Sequence, residues 1–404
     1  MIPVLTPAQA VRLRLRGQRL DGSGPAVAGG IAGLLRGVGG LQAQVAEAAA
    51  LGARARSSGL AAADVDRMLT HERTVVRTWA WRGTLHLIAS EDLRWMLALI
   101  APVALPRAAR RHAQLGLDHR TLAAGACNIA DAVAAHGPLT RTELVTRLQG
   151  AGIDASGQRA PHLLWWTSMH GTICQGPDRG RDATYVLVDD WLPALRPVDR
   201  EVALSALAAR YLAAYGPATP QDLAAWSGLP LRDARAAWSA HRGLTEVRVA
   251  EAPAWLLDGQ RADTPDGQQQ APDSQQPRVR LLPAYDTYLL GHRSRELIVP
   301  ATHARAVHPG GGIIHAVLAV DGRAAGTWRS RRRGRRGLEI SVRPFDDPAV
   351  LSQRSGSTQG APVRAAIHRE AADVARFVGR QPHELILESA DSPHELIVES
   401  VAAP

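Results

Sequence analysis

The chain uses one pattern twice, as Gly137-Pro138-Leu139-Thr140-Arg141-Thr142-Glu143-Leu144 and as Gly216-Pro217-Ala218-Thr219-Pro220-Gln221-Asp222-Leu223. In both copies Gly-Pro ends an alanine-rich helix, a threonine can cap the next helix, and an acid three residues later lies in its first turn. Pro220 occupies the first helical position, where a missing N–H costs nothing. The pattern therefore predicts two helix-turn-helix units.

Helices and β-forming runs flank both copies. The first helices are predicted over 121–136 and 202–215, and a third helix follows each turn, for example over 231–241. The runs over 171–188 and 244–257 have the position of a wing. Each copy is therefore predicted to be a winged helix.

The N-terminal third fits the same plan, with helices over 6–16, 26–40 and 61–71 and a wing over 74–88. We therefore predict an α+β protein of three tandem winged-helix units that form a concave DNA-binding surface. A set of unrelated α+β repeats remains the alternative. The predicted divisions are 1–118, 119–199 and 200–258 for the winged helices, 259–278 for a disordered insertion, 279–381 for a C-terminal β-rich region with a late helix, and 382–404 for a duplicated tail.

The last third of the chain differs from the rest in composition. Residues 259–278 are rich in Gln, Asp, Pro and Gly, which is typical of disorder. Asp321-Gly322 is the strongest short hairpin signal in the chain. A helix is predicted over 362–379, and the tail repeats the sequence Pro-His-Glu-Leu-Ile at 382–386 and 393–397.

The charge of the chain limits its chemistry. The 404 residues carry a net charge of +9, and all 47 basic residues are arginine. GC-rich coding explains the missing lysine but not the net excess, which favours a polyanionic partner. Without lysine, Schiff-base enzymes, P-loop proteins and pyridoxal-phosphate enzymes are excluded. Cys127 and Cys174 lack metal-ligand spacing, so we expect no metal and no cofactor.

The N-terminus has no basic region followed by an apolar core, and no apolar run reaches the roughly 18 residues that a membrane span needs. We therefore expect a soluble, cytoplasmic, nucleoid-associated protein.

In this order, several motifs resemble the winged-helix DNA glycosylases of the AlkZ and YcaQ group. They are Thr6-Pro7, Gly40-Leu41-Gln42-Ala43-Gln44, Trp81-Arg82-Gly83-Thr84-Leu85-His86, Leu281-Leu282-Pro283-Ala284-Tyr285-Asp286 with Leu289-Leu290-Gly291, and Asp321-Gly322-Arg323 with Gly326-Thr327-Trp328. The resemblance implies that Gln42 and Gln44 are the catalytic pair, in the AlkZ-like Gln-x-Gln form rather than the Gln-x-Asp form. It also implies that the lesion stays within the duplex.

Two glutamines give weaker assistance than the aspartate of most glycosylases. Their carbonyl oxygens can orient a water and face an oxocarbenium ion, but they cannot deprotonate the water. Such help suffices only for a leaving base that is already cationic, such as N7-alkylguanine or N3-alkyladenine. Without the resemblance, Gln42 and Gln44 could equally be surface amides that cap backbone groups.

Alternation along a strand would place Arg82, Thr84 and His86 on one face, which could meet phosphates near the glutamines. An exposed wing face with a structural His86 is the alternative. Trp79 and Trp81 share the alternation and are expected to pack rather than to stack on bases.

A dense basic run follows the predicted strand that ends at Trp328. It contains Arg329, Arg331, Arg332, Arg333, Arg335 and Arg336. The run is interpreted as a mobile loop that grips phosphate, or as a merely solvated loop. Arg293 and Arg295 have the same two interpretations.

We therefore predict a monofunctional DNA glycosylase that removes cationic alkylated purines, and that could unhook interstrand crosslinks, for DNA repair or self-resistance to a genotoxic natural product. Its partner would be double-stranded DNA, and three tandem modules favour a monomer. A winged-helix transcriptional regulator without catalysis is the alternative, although three such units are unusual for a repressor.

Overall fold

The protein is an α+β molecule in a computed structural model that describes residues 2–22, 29–194, 198–260, 277–334, 336–346, 361–388 and 396–399. The helices α1 to α15 are, in order, Pro7–Gly17, Gly30–Val38, Ala46–Ala55, Ala62–Thr70, Leu93–Gln114, His119–His136, Arg141–Gly150, Arg159–Met169, Val188–Trp191, Arg200–Tyr215, Pro220–Ser227, Leu231–Ala240, Thr287–Leu290, Ala304–Val307 and Ala361–Phe377. The strands β1 to β15 are Val4–Leu5, Leu41–Gln42, Val75–Trp79, Leu85–Ala89, Leu139–Thr140, Ile173–Gln175, Thr184–Leu187, Leu244–Val249, Ala252–Leu257, Val279–Leu282, Val317–Val320, Arg323–Arg333, Gly337–Pro344, Gln381–Glu388 and Leu396–Glu399.

The two repeated helix starts are confirmed as capping boxes. The Glu143 N–H donates to the Thr140 hydroxyl at 3.3 Å, and the Glu143 carboxylate accepts from the Thr140 N–H at 2.7 Å. Thr219 and Asp222 make the same two bonds at 3.1 Å and 3.0 Å. Each box satisfies N–H groups that the first helical turn leaves without partners. After each capped helix, a further helix and an antiparallel hairpin follow in the predicted order.

The N-terminal third contains two helices that the prediction lacks, α3 and α5. Helix α5 contains Pro102 and Pro106, and internal proline normally signals a break because it removes a helical hydrogen bond. The guanidinium of Arg200 donates to the Ala98 carbonyl at 3.1 Å, which Pro102 cannot satisfy. A side chain that is distant in sequence thus supplies the hydrogen bond that the proline removes from the helix.

The predicted units share sheets. One sheet has the order β2-β4-β3-β6-β7-β5, and it joins the first and second units where Arg77 pairs with Gln175. Strand β1 pairs in parallel with β8, which links the N-terminus to the third unit. The C-terminal region forms a sheet of order β10 to β15 with α15 packed on it. The predicted divisions therefore cut through hydrogen-bonded sheets.

The hydrophobic cores cross the same divisions. One core combines Leu41 and Ala43 with Leu281, Trp328 and other residues of the C-terminal sheet. Another core combines α5 of the first unit with α10, α11 and α12. The first unit is therefore packed against both the third unit and the C-terminal region.

The predicted Asp321-Gly322 turn is confirmed, with φ of +48° and +81°. Both central residues are left-handed, as a type I′ hairpin turn requires. Strand β12 does not end near Trp328 but continues to Arg333, and it pairs with β13 from Gly326↔Pro344 to Arg333↔Gly337. The prediction of a mobile loop at Arg329, Arg331, Arg332 and Arg333 is therefore wrong, because these residues lie in a paired strand.

Several predictions fall on segments that the structure does not describe. The predicted insertion, apart from its ends, lies outside the described residues at 261–276. So do 389–395 and 400–404 of the duplicated tail, although β14 and β15 contain parts of both copies. No helix among the described residues is long and apolar enough to cross a lipid bilayer.

Candidate functional site

A short strand, β2, positions Gln42, and Gln44 follows two residues later. Gln42 pairs with His86 of β4, and the N–H of Ala43 donates to the Leu85 carbonyl at 2.7 Å. Leu41 and Ala43 are buried, Gln42 is half-buried and Gln44 is exposed. Because side chains alternate along an extended chain, the two amides lie on the opposite side from the buried residues.

Two glycines bring the chain from α2 into this strand. Gly39 and Gly40 have φ of +74° and +96°, where L-residues are strained. A Cβ on Gly39 would lie 2.9 Å from the Trp226 ring, and one on Gly40 would lie 2.9 Å from Ile88. The indole N–H of Trp81 donates to the Gly39 carbonyl at 2.8 Å. The glycines therefore allow both a sharp turn and close packing on the third unit.

Hydrogen bonds hold the two glutamines to each other and to the third unit. Gln42 Nε2 donates to Gln44 Oε1 at 2.5 Å, and Arg82 Nη2 donates to Gln42 Oε1 at 3.1 Å. Arg82 Nη1 donates to the carbonyl of Trp226 near the end of α11, where a cation is favourable. The amide of Gln42 is thus fixed on both sides by side-chain partners.

The predicted face of Arg82, Thr84 and His86 does not form. Arg82 lies in the 3-10 turn Trp81–Gly83 with φ of +56°, so the strand alternation begins only at Leu85. His86 is 2 % exposed and therefore has no surface for phosphate. The Thr84 hydroxyl donates to the Trp81 carbonyl at 3.1 Å. Arg82 instead contacts Gln42, a placement that strand alternation does not predict.

His86 supports β2 as a neutral ring. Burial, with a smaller contribution from the Arg82 charge, lowers its pKa to about 3. Its Nδ1 lies 2.9 Å from the Thr84 carbonyl, so a proton on Nδ1 donates to that oxygen. The imidazole therefore remains uncharged at neutral pH.

We expect the free energy of unfolding to fall as pH drops from about 6.5 towards about 3. In this window the unfolded chain protonates His86 and the folded chain does not, so the unfolded state binds more protons. A slope of about 1.4 kcal/mol per pH unit is the single-site limit. Urea titrations of wild type and His86→Gln at several pH values measure it. The wild-type slope should exceed that of His86→Gln, whereas exposed His136→Gln should match wild type, and equal slopes in all three proteins would contradict the assignment.

Trp81 packs as predicted. It is fully buried, with ring centroids 5.9 Å from Trp95 and 4.7 Å from Trp226. Trp79 is half-buried and stacks on Tyr185 at 6.4 Å with an interplanar angle of 11°. The indoles join the first unit to its neighbours.

The remaining predicted arginines lie on other elements. Arg293 is exposed, and Arg295 is half-buried and close enough to Arg82 to help lower the pKa of that guanidinium, which burial lowers most. Arg329, Arg331, Arg332 and Arg333 are exposed on β12. Arg333 Nε donates to Glu339 at 2.7 Å. The sheet that carries this hairpin shares its core with Leu41 and Ala43, so the two predicted regions belong to one packed body.

Metal ligation finds no support in the part of the chain that the structure describes, where no group of His, Cys, Asp or Glu could hold an ion. Cys127 is exposed and Cys174 is buried, and they form no disulfide. The side chains hydrogen-bonded at Gln42 are an amide and a guanidinium group.

Comparisons with known proteins agree on one family. A family model described as "DNA glycosylase AlkZ-like" matches residues 35–377. A Streptomyces sahachiroi protein named interstrand DNA cross-link repair glycosylase is 31% identical over 358 residues, covering 84% of this chain and 88% of the relative. The solved structure of the Streptomyces sahachiroi DNA glycosylase AlkZ matches with a TM-score of 0.75 and 28% identity, over 95% of this chain and 99% of that one.

Proposed function

The chain belongs to the AlkZ-like family of DNA glycosylases, and we propose that it hydrolyses the N-glycosidic bond of cationic alkylated purines and unhooks interstrand crosslinks. Its proposed substrates are N7-alkylguanine and N3-alkyladenine in duplex DNA. Crosslink repair is the activity named for its Streptomyces relative. Such a role fits general DNA repair or self-resistance to a genotoxic natural product.

The observation that carries this proposal is the hydrogen-bonded pair of Gln42 and Gln44. Each amide oxygen has two lone pairs, so a carbonyl that already accepts one bond can still orient a water. The same oxygens place partial negative charge where an oxocarbenium ion develops. Neither amide can take a proton from water, so the leaving base must supply the driving force through its own positive charge.

The product should be an intact abasic site. A lyase step needs an amine that forms a Schiff base, and the sequence contains no lysine. The enzyme is therefore proposed to be monofunctional.

DNA would be held by arginine side chains around the glutamines. We propose that Arg293, Arg295 and the β12 arginines contact phosphates, because guanidinium groups match phosphate geometry. Exposure of Arg293 and of the β12 arginines supports this. Arg82 is proposed to position Gln42, since its two bonds are already directed to Gln42 and Trp226.

Substitution Arg331→Gln should weaken duplex binding without changing sequence preference. If Arg331 contacts one phosphate, the slope of log K against log salt should fall in magnitude by about 1. Fluorescence anisotropy over a salt series measures this slope. Arg12→Gln removes the same charge from an exposed position on α1 and should leave the slope unchanged. Equal slopes for Arg331→Gln and wild type would remove the hairpin from the DNA interface.

The test of the function is release of 7-methylguanine from methylated duplex DNA, followed by the same assay on a nitrogen-mustard crosslink. Released base with an intact abasic strand supports a monofunctional glycosylase. Tight binding to one promoter sequence with no release from either substrate would instead identify a regulator.

A further inference from the structure

A cleft of about 670 Å³ lies where the first three units meet, beside the glutamine pair. Its walls are the turn Trp81–Gly83, helices α5 and α8, and the turn between α11 and α12. It lies within the size range of roughly 300–1,000 Å³ that is typical of small-molecule sites. Neither Gln42 nor Gln44 lines it, but Arg82 does, and Arg82 also donates to Gln42.

The lining combines aromatic, aliphatic and cationic groups. Two half-buried indoles, Trp79 and Trp165, stand beside aliphatic side chains such as Val103. Indole faces bind nucleobases, and each stack has a measurable effect on affinity. The cleft therefore has surfaces that suit a planar ring.

Three arginines, Arg82, Arg107 and Arg111, also line the cleft, and no carboxylate is among its described lining residues. Arg107 donates to the Gly228 carbonyl at 2.7 Å. Arg111 donates to the side-chain oxygens of Gln114 and Gln158. These partners are neutral, so the positive charge persists and favours an anion such as phosphate.

His162 adds a polar group to the wall, and His112 lies behind it. His112 is 4 % exposed, and its ring contacts His162 edge-on with centroids 5.2 Å apart. His112 Nε2 and His162 Nδ1 are buried, and the described residues offer them no hydrogen-bond partner. Buried polar nitrogens normally have partners, so Nδ1 of the lining residue His162 is available to a ligand in the cleft.

We propose that the cleft holds one nucleotide with an uncharged base, displaced from the base stack beside the lesion, with its base on Trp165 and its phosphate at Arg107 and Arg111. This inference rests on the proposed function, because the nucleotide would come from the DNA whose damaged base lies at Gln42. Arg82 both donates to Gln42 and lines the cleft. The cationic lesion base itself stays outside, since three guanidinium groups repel it and no carboxylate attracts it. The inference thus assigns the cleft to a neighbour of the damaged base.

The test uses three undamaged duplexes that are identical except for one extra position. The first is fully paired, the second has an unpaired thymidine bulge, and the third has an abasic bulge of the same length. Wild type should bind the thymidine bulge about tenfold more tightly than the abasic bulge. Trp165→Ala should reduce that ratio to about 1 while binding the paired duplex as wild type does, and Trp165→Phe should retain part of it.

A second pair of variants tests the phosphate contact without touching the core. Arg111→Gln should reduce the salt slope on the bulged duplex by about 1. Arg110→Gln, on the neighbouring exposed position of the same helix, should not. A non-hydrolysable 2′-fluoro 7-methylguanine in the bulge should gain no affinity over the abasic bulge.

Three results would overturn the proposal: equal affinity of wild type for both bulges, a thymidine preference that survives in Trp165→Ala, or tightest binding of the cationic base. All arms measure binding to DNA that is not cleaved. Loss of the bulge preference with normal base release would refute the cleft alone. Bulge preference without base release would refute the glycosylase assignment alone.

Discussion

Replacing Gln42 and Gln44 together with alanine is expected to lower the rate of base release about 100-fold, as loss of an electrostatic stabiliser at a reacting centre does. DNA affinity should change little, because neither amide carries charge. The two amides are hydrogen-bonded to each other at 2.5 Å, so the effects of the two single substitutions on the rate should not be additive. Single-turnover release of 7-methylguanine, measured beside anisotropy binding curves, separates the two effects.

The controls for this prediction use residues of matching chemistry. Gln149→Ala removes an exposed glutamine on α7 and should leave the rate unchanged. Gln44→Asp should retain release, since the family resemblance includes a Gln-x-Asp form. A double alanine variant that releases base at the wild-type rate would move catalysis away from β2.

Arg82→Met should lower the single-turnover rate by about tenfold while leaving binding near wild type. It removes the donor on one side of the Gln42 amide, and a lost charged hydrogen bond corresponds to roughly this factor. Arg82→Lys should recover part of the rate. A variant that loses affinity but keeps its rate would show Arg82 to be a phosphate contact instead.

Arg56→Met is expected to lower the free energy of unfolding by about 3–5 kcal/mol, because it leaves a buried carboxylate without its partner. The side chains of Arg56 and Asp286 are both 0 % exposed, and two parallel bonds of 2.9 Å and 2.7 Å join them. Arg56 also donates to the Gly52 carbonyl and to Gln18. Urea unfolding followed by circular dichroism measures the loss.

An exposed ion pair provides the matched control for the buried one. Arg67, about half exposed, pairs with Asp64, and Arg67→Met should cost far less than Arg56→Met because solvent screens the pair. The double variant Arg56→Met/Asp286→Leu should recover part of the loss, since removing both charges leaves no unpaired buried charge. If the double variant were as unstable as the sum of both singles, packing rather than charge would explain the effect.

Sequence signals predicted those parts of the fold that depend on neighbours along the chain. The capping boxes at Thr140 and Thr219 and the turn at Asp321-Gly322 are local arrangements, so a few residues contain all the information. The basic run was assigned to a loop because β12 is specified by its partner β13 rather than by its own arginines. The shared sheet depends on one contact between Arg77 and Gln175, which lie in different units.

In the candidate site, too, only the features formed by residues close in sequence were predictable. The family resemblance pointed to Gln42 and Gln44, and their closeness follows from their spacing of two residues in the sequence. The contact of Arg82 with Gln42 could not be predicted from strand alternation, because Arg82 lies in a turn with a left-handed φ and not in a strand. Its second acceptor, Trp226, is 144 residues away. The cleft beside it is likewise formed by three units and has no sequence motif.

The long sequence separation of the buried pair has a consequence during synthesis. Arg56 and Asp286 are 230 residues apart, and a ribosome adding about 5–20 residues per second needs roughly 10–50 s to pass from one to the other. During that time the glutamine strand and α3 have left the exit tunnel without the carboxylate and the C-terminal sheet that bury them. The nascent chain must therefore carry this strand and α3 partly uncovered until the C-terminal sheet has been translated, and slow codons before that point would lengthen their exposure to chaperones and proteases.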